Sequence, residues 1–353
     1  MANILLKLRY DGTNYVGWQK QQNGVTVQGV LEDKLNEILG CPNGHPGNFP
    51  AAGAGLPKNE DLSPKFFGKE EKPPARRSFS DGFGPKTSNE GEFRRNDGLH
   101  SERSEHIKIT GCSRTDSGVH AREYICNFHT QSTLDPQIVK RALNAKLPKD
   151  IVVLDAEYAT DDFHSRYDVK GKTYVYQVLN SVERDPFLQN YAYHVKTPLD
   201  VGNMNLAAAK FVGEFDFRAF TTSSCLRELG LPKRPREADV LGKRSGNGES
   251  ELFGRFLSEN EQSGVCRDDG QEKNTVRVIT DCFVEKTDNL VVITVTGQSF
   301  LHNMVRIIAG TIIKVGQGKL APDDIPRIIE SGQRANAGVT APAKGLFLNE
   351  VKL

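Results

Sequence analysis

The sequence predicts an α+β fold, in which strand and helix segments are mixed along the chain. Segments with apolar residues at every second position are typical of half-buried strands, and segments with apolar residues three or four positions apart are typical of amphipathic helices. Several strand segments follow one another closely enough to form hairpin-like returns. Because 353 residues exceed the usual size of one hydrophobic core, we expect two domains, or one domain with large insertions.

The N-terminal part is predicted to contain one strand and one helix. Apolar side chains alternate over residues 4–10, which predicts a strand that ends at the turn sequence DGTN. A helix is predicted from Thr26, whose hydroxyl is suited to an N-cap, to Gly40, which favours a helix end. The apolar stripe of this helix consists of Val27, Val30, Leu31, Leu35, Ile38 and Leu39.

The remaining elements surround a polar loop, GCSRTDSGVHA, at residues 111–121. Asp135 followed by Pro136 predicts the start of a helix. Apolar and β-branched residues predict four strands, and a mostly apolar run predicts one long helix. The strand segments are HIKIT (106–110), EYICNFHT (123–130), KTYVYQVL (172–179) and NLVVITVTG (289–297). The helix is SFLHNMVRIIAGTIIKV (299–315), and GLFLNEV (345–351) is predicted to be a closing strand.

Two segments differ from the rest in composition. Residues 42–104 are rich in glycine and proline, carry charges of both signs and contain few residues able to form a core face, which favours disorder. Residues 224–274 are similarly polar. Both are interpreted as insertions, the first disordered and the second flexible.

Composition also narrows the class of protein. No stretch approaches the length of an apolar membrane span, and MANILLKLRY alternates like a strand instead of forming a signal peptide, so we expect a cytoplasmic protein. Six cysteines without a CxxC pair predict reduced thiols and no zinc site. No phosphate-binding glycine motif supports a nucleotide cofactor, so none is expected. A net charge of +1 means that any RNA contact must come from a local patch.

Asp116 is the main catalytic candidate. It lies in the polar loop without a second acid at working distance in sequence and without a recognisable set of metal ligands. A carboxylate can act as a nucleophile or as a base. From the residues alone, Asp116 could equally form an ordinary turn or cap hydrogen bond.

Seven blocks, in order, resemble the tRNA pseudouridine synthase A family, and they cover nearly everything outside the two insertions. They are RYDGTNYVGWQKQ (9–21), SRTDSGVHA (113–121), FHSRYDVKGKTYVYQV (163–178), GEFDFRAF (213–220), TVRVI (275–279), SFLHNMVRIIAG (299–310) and GVTAPAKGLFL (338–348). Ser117 departs from the alanine that is commoner in the family, and the insertions are absent from its compact bacterial members.

The resemblance implies a pseudouridine synthase fold of two α/β lobes, with a mostly antiparallel sheet and a central RNA-binding cleft. We assign the lobes to residues 1–167 and 168–353. It further implies a homodimer that isomerises uridine to pseudouridine at positions 38 to 40 of the tRNA anticodon stem-loop, without metal or cofactor. Asp116 would then attack the ribose carbon or the uracil ring, or remove a sugar proton, and these choices stay open.

Three further residues are candidates for the substrate site. Arg306 lies in an apolar helix and is expected to keep Asp116 ionised, although an Arg there could also extend to solvent. The resemblance assigns base flipping to Arg114, which could otherwise be an ordinary surface residue. It also assigns stacking on the target base to Tyr174, a residue that strand alternation alone would place in the core. Tyr176 is expected to be structural.

Two other function classes are compatible with the residues. The chain could be a catalytically silent tRNA-folding chaperone of the same fold, with its cleft blocked by the insertions. It could also be a metal-dependent hydrolase that uses Asp116 and His120, although no third ligand occurs at a familiar spacing. We expect His120 to brace the loop and Trp18 to pack or brace near the cleft.

Overall fold

The computed structural model describes residues 1–39, 106–230 and 274–353. The predicted helix end at Gly40, the whole 42–104 segment and most of the 224–274 segment lie outside this described part. The described residues contain ten strands and six α-helices. The strands are β1 (Ala2–Tyr10), β2 (Thr110–Gly111), β3 (His120–Thr130), β4 (Ile151–Ala159), β5 (Gly171–Asn180), β6 (Tyr193–Val195), β7 (Gly213–Asp216), β8 (Val276–Thr287), β9 (Leu290–Gly297) and β10 (Leu346–Lys352). The helices are α1 (Val27–Leu39), α2 (Pro136–Lys146), α3 (Val201–Ala209), α4 (Ser223–Glu228), α5 (Met304–Gly316) and α6 (Asp324–Ser331).

All ten strands belong to one mixed sheet. Eight of them follow the order β4-β1-β3-β10-β5-β9-β8-β7, while β2 pairs with β3 and β6 with β5. The C-terminal strand β10 runs parallel to β3 and antiparallel to β5, with Leu348 opposite both Ala121 and Tyr174. Residues from the two ends of the chain therefore share the middle of the sheet. Most other pairings are antiparallel, which confirms the predicted α+β class.

The predicted helix starts are confirmed by their caps. The hydroxyl of Thr26 accepts a hydrogen bond from the Gly29 amide at 3.2 Å, and the Asp135 carboxylate accepts one from the Gln137 amide at 2.8 Å. Each bond satisfies an amide that has no partner within the helix. Helix α5 is covered on nearly all sides, and its stripe residues Ile308 and Ile312 are fully buried.

The segment predicted as the strand HIKIT forms a strand only at its end. Ile107 and Ile109 are buried, but their amides bond to side chains of α1. The Ile107 amide donates to Asn36 at 2.8 Å, and the Ile109 amide donates to the Glu32 carboxylate at 3.2 Å. Because polar side chains of α1 satisfy this backbone, no neighbouring strand is needed until Thr110.

The other two differences concern helix boundaries. The helix predicted from residue 299 begins only at Met304, because Asn303 has a left-handed backbone with φ of 62° and interrupts the helical geometry. The polar segment predicted from Ser224 begins inside α4, whose N-cap Thr222 accepts a hydrogen bond from the Cys225 amide. The first residues of the segment that the sequence predicts as an insertion are therefore helical. Among the described helices, none is both long and apolar enough to cross a membrane.

Candidate active site

The loop that carries Asp116 is held from behind by the N-terminal segment. The Thr115 hydroxyl bonds to the Tyr10 hydroxyl at 2.8 Å, and the Thr115 carbonyl accepts from the Trp18 amide at 3.1 Å. Trp18 is buried and its ring stacks on Tyr124 at 3.9 Å between centroids, in agreement with the expected packing role. These contacts fix the loop at Thr115, the residue directly before Asp116.

Gly17 allows the two segments to come together. Its φ is +99°, a conformation that glycine adopts without strain, and a Cβ atom there would lie 2.6 Å from the Thr115 carbonyl oxygen. No side chain can be accommodated at that distance. The glycine in YVGWQ is thus required by the close approach to the Asp116 loop.

The Asp116 carboxylate contacts two cationic or potentially cationic side chains. Its Oδ2 atom accepts a hydrogen bond from Arg306 Nη1 at 3.1 Å, and its Oδ1 atom lies 3.3 Å from His302 Nε2. The Asp116 and Arg306 side chains are 15% and 17% exposed. The pair is therefore largely shielded from water, so its electrostatic attraction is stronger than that of a surface pair.

Arg306 is fixed by two further acceptors. Its Nε donates to the Ala341 carbonyl at 2.8 Å, and its Nη1 also donates to the Asn303 side-chain oxygen at 2.6 Å. Asn303 adopts positive φ, which is uncommon for a non-glycine residue and occurs often at functional sites. The guanidinium consequently has one orientation, in which it faces Asp116.

His302 is the site residue that sequence reasoning missed. Its Nδ1 lies 3.1 Å from the Thr222 hydroxyl, and its ring is half exposed. The sequence HNMVR around His302 contains no motif that predicts such a contact. It could have been found only from the turn at residues 299–303, which the sequence instead predicted to be helical.

The pKa of Asp116 is lowered from its ordinary value. Burial alone would raise it, but the hydrogen bonds and charges of His302 and then Arg306 outweigh burial. The carboxylate is therefore ionised at neutral pH in a site from which most water is excluded. An ionised acid with nearby cations is suited to act as a nucleophile or base.

Tyr174 lies beside the Asp116 loop on β5. Its hydroxyl is 2.9 Å from the Ser113 hydroxyl, and Phe300 contacts its ring edge-on at 5.1 Å between centroids. It is 6% exposed, and burial raises its pKa, with the charge of Asp116 adding to the shift. Tyr176, two residues further, is fully buried and donates its hydroxyl to the Pro342 carbonyl at 2.8 Å, which is a structural arrangement.

Arg114 is exposed at the front of the same loop. Within residues 1–39, 106–230 and 274–353 its guanidinium has no ion pair with a carboxylate. The structure leaves this cation available at the front of the loop.

His120 is used in a separate set of contacts. It is 2% exposed, and its Nδ1 accepts from the Gly12 amide at 3.0 Å, while its Nε2 lies 3.1 Å from the Asn190 carbonyl and 3.2 Å from the Lys344 carbonyl. Its ring stacks on Phe347. These contacts brace the end of the Asp116 loop, as expected. In the described part of the chain, no cluster of three metal-ligating side chains occurs.

The sequence was compared with models of known protein families. The model described as "tRNA pseudouridine synthase" matches residues 8–168 and 254–352. The first matched range contains Asp116, and the second contains His302 and Arg306.

Curated proteins similar to this chain include a tRNA pseudouridine synthase A 2 from Clostridium perfringens and one from Clostridium tetani. Each is 34% identical over 351 residues, which is 99% of this chain and 99% and 98% of the respective relatives. A tRNA pseudouridine synthase A from Clostridium acetobutylicum is 32% identical over the same length and 99% of both chains. The similarity therefore extends from end to end.

Proposed function

The chain belongs to the tRNA pseudouridine synthase family and is an isomerase that converts uridine to pseudouridine in tRNA; from this premise we propose that Asp116 is its essential catalytic residue. We further propose uridines at positions 38 to 40 of the anticodon stem-loop as its targets. The observation that carries the first proposal is the environment of Asp116, a largely buried carboxylate in contact with Arg306 and His302.

The isomerisation requires little from the protein beyond one reactive carboxylate. The bond from N1 of uracil to C1′ of ribose breaks, the base rotates, and a bond forms from C5 to C1′. A proton leaves C5 and N1 gains one, so the reaction is neutral in atoms and electrons. A carboxylate can assist by attacking the ribose or the ring, or by removing a sugar proton, and a single aspartate is sufficient for each of these routes.

The contacts of Asp116 are compatible with all three routes. Each carboxylate oxygen has about two lone-pair sites, and Arg306 and His302 use one on each oxygen. One site per oxygen remains for the nucleoside. Arg306 and His302 also compensate for the loss of water that occurs when the RNA covers the site, because they keep the anionic form favoured.

Tyr174 and Arg114 complete the proposed substrate site. A uridine in a stem must leave the helix to reach Asp116, and an arginine that stacks on bases or pairs with phosphate can occupy the vacated space. Arg114 is exposed on the same loop as Asp116 and suits this function. Tyr174 lies next to that loop through Ser113, so its ring is the proposed platform for the extruded base.

The domain organisation and the oligomeric state are also part of the proposal. We propose that the two lobes, residues 1–167 and 168–353, bind tRNA as parts of a homodimer in the cytoplasm. A dimer would combine modest positive patches from two chains, which would reconcile RNA binding with a net charge of +1. Light scattering on the purified protein tests the dimer directly, because a monomeric mass would contradict it.

The proposed function is tested with unmodified tRNA transcripts in the presence of EDTA. We expect pseudouridine at positions 38 to 40, mapped by position, for the wild-type protein. Asp116→Asn should abolish turnover and leave tRNA affinity within about threefold, because the substitution removes the charge and keeps the shape. Asp323→Asn is a suitable control, since that side chain is 87% exposed on the surface.

Each other outcome identifies a different error. Binding without product in the wild-type protein would favour the folding chaperone, and turnover only after addition of metal would favour the hydrolase. Pseudouridine at other tRNA positions would refute the proposed targets. An active Asp116→Asn variant would remove Asp116 from the mechanism.

A further inference from the structure

Lys172 is a nearly buried cation beside the proposed base platform. It belongs to β5, two residues before Tyr174, and the two side chains lie on the same face of that regular strand. The residue is only 8% exposed. Lysine is almost never buried to this extent unless it is paired.

The described part of the chain provides no carboxylate partner for Lys172. Burial lowers the pKa of Lys172, the effect expected of a lysine that is removed from water without a carboxylate beside it. Glu123 lies on β3, which β10 separates from β5, and it already pairs with Lys7 at 3.3 Å and accepts from the Val351 amide at 3.3 Å. Among the described residues, the charge of Lys172 is therefore not compensated by a paired carboxylate.

The ammonium group of Lys172 is not sealed inside the protein. Among the described side chains, only Arg218 and Arg277 bury a nitrogen completely without a hydrogen-bond partner. Lys172 is not one of these two residues, and its Nζ atom has no hydrogen-bond acceptor in the described part of the chain. The Nζ atom therefore keeps access to solvent, while the aliphatic part of the side chain is covered. Such an arrangement, with a buried stem and an accessible charged end, leaves a cation available to a ligand.

The position of Lys172 relative to Asp116 is defined by the face of β5. Along this face, Tyr176 lies near Arg306, Tyr174 contacts the loop through Ser113, and Lys172 comes last. Residues two apart in a strand are about 7 Å apart. This separation is comparable to that between a pyrimidine ring and the phosphate of its own nucleotide. Arg306 is already committed to Asp116, whereas Lys172 is not.

We propose that Lys172 binds an RNA phosphodiester adjacent to the target uridine. A phosphate would supply the negative charge that Lys172 lacks among the described residues. It would also fix the backbone of the extruded nucleotide, because phosphate contacts set position and register while base contacts set sequence preference. The inference rests on the proposed function, since it takes Tyr174 as the platform for the target base.

Binding measurements with tRNA test the site without requiring turnover. Lys172→Met keeps the apolar stem and removes the charge, Lys172→Arg keeps the charge, and Lys210→Met removes an exposed lysine that pairs with Asp323 on the surface. All three are made in the Asp116→Asn background, so that the transcript stays unmodified. Affinity for the unmodified transcript is measured over a series of salt concentrations.

We expect Lys172→Met to weaken binding roughly tenfold and to reduce the salt dependence by about one phosphate contact. Lys172→Arg should bind within about threefold of the parent, and Lys210→Met should match it. The Lys172→Met protein should melt at the same or a higher temperature, because a buried charge has been removed. Unchanged affinity and salt dependence in a folded Lys172→Met protein would overturn the proposal.

A chemically altered RNA locates the phosphate. Stem-loop RNAs carry one uncharged methylphosphonate, either 5′ or 3′ of the target uridine. The parent should lose roughly tenfold in affinity at one of these positions, and Lys172→Met should lose nothing more there, since partners in contact are not additive. If the affinity losses caused by Lys172→Met and by the methylphosphonate are additive at both RNA positions, the proposed site is refuted. Failure of the wild-type protein to form pseudouridine would refute the proposed function, and this result is independent of the phosphate readout.

Discussion

Arg306 and Asp116 are 190 residues apart in the chain, and their side chains meet at 3.1 Å. The contact joins the start of α5 to the loop before β3. Both side chains are mostly covered, and Arg306 makes two more hydrogen bonds that orient it. The proposed catalytic group is therefore defined by a tertiary contact, and four predictions concern this contact and its surroundings.

Replacing Arg306 should reduce activity by raising the pKa of Asp116. In Arg306→Met the effect of burial, which raises this pKa, is opposed only by His302. An opposite charge at this distance favours the ionised carboxylate and so lowers its pKa. The acid limb of the pH–rate profile, below which Asp116 is protonated and inactive, should therefore move to higher pH.

Arg306→Lys should shift this limb less than Arg306→Met, because the charge remains. Arg327→Met is the matched control, since Arg327 is 83% exposed and lies 4.0 Å from its partner Asp324. Activity is measured from pH 4 to pH 8 with unmodified tRNA. An unchanged profile for a folded Arg306→Met protein would contradict the pairing as a determinant of Asp116 ionisation.

His302 and Thr222 should act as one unit on Asp116. Thr222 can orient the imidazole through Nδ1, and Nε2 then faces the carboxylate. His302→Asn and Thr222→Val should each lower kcat several-fold, and the double variant should be no slower than His302→Asn alone. Such non-additivity is the signature of residues in contact. His129→Asn serves as the control, because His129 is exposed on β3.

The pH–rate profile distinguishes an effect of His302 on Asp116 from a general loss of structure. Loss of His302 removes a group that lowers the Asp116 pKa, so the acid limb should shift upward, as for Arg306→Met. Fully additive rate effects of the two substitutions, or an acid limb that stays in place, would show that His302 does not act through Asp116.

The ring of Tyr174 should matter more than its hydroxyl. Tyr174→Phe loses the hydrogen bond to Ser113 but keeps the aromatic face and the contact with Phe300. It should retain tRNA affinity within about threefold. Tyr174→Leu should lose about 1 to 3 kcal/mol of binding free energy to the target stem-loop, the usual contribution of stacking on one base. Equal affinity of the Phe and Leu variants would refute the stacking role.

Gly310 should be essential to stability for a steric reason. A Cβ atom at this position of α5 would lie 1.9 Å from the Val339 carbonyl oxygen, in the segment whose Ala341 carbonyl accepts from Arg306. Gly310→Ala should lower the free energy of unfolding by about 1 to 3 kcal/mol, as measured by denaturant titration. Gly171→Ala is the control, because a Cβ there meets only ordinary contacts of 3.7 and 3.8 Å. Equal stability of the two variants would contradict the close approach.

The sequence alone determined the fold class and most element positions, and it predicted Asp116 as the catalytic candidate. Apolar alternation marks β5, β9 and β10, and the capping residues Thr26 and Asp135 mark helix starts, because such patterns depend on local geometry and on the side on which each element is buried. The motif around Asp116 likewise depends on neighbouring residues in the chain.

The sequence predicts that Arg306 acts on Asp116, and only the tertiary structure added His302 as a second group in contact with that carboxylate. His302 reaches the carboxylate because Asn303 adopts a left-handed conformation and delays the start of α5, a local exception that propensity does not encode. The amides of residues 107 and 109 bond to side chains of α1 in place of a strand. Contacts between distant segments depend on how the elements pack, whereas apolar period and capping depend on residues a few positions apart. Contacts between distant segments therefore cannot be predicted from the local patterns of a single sequence.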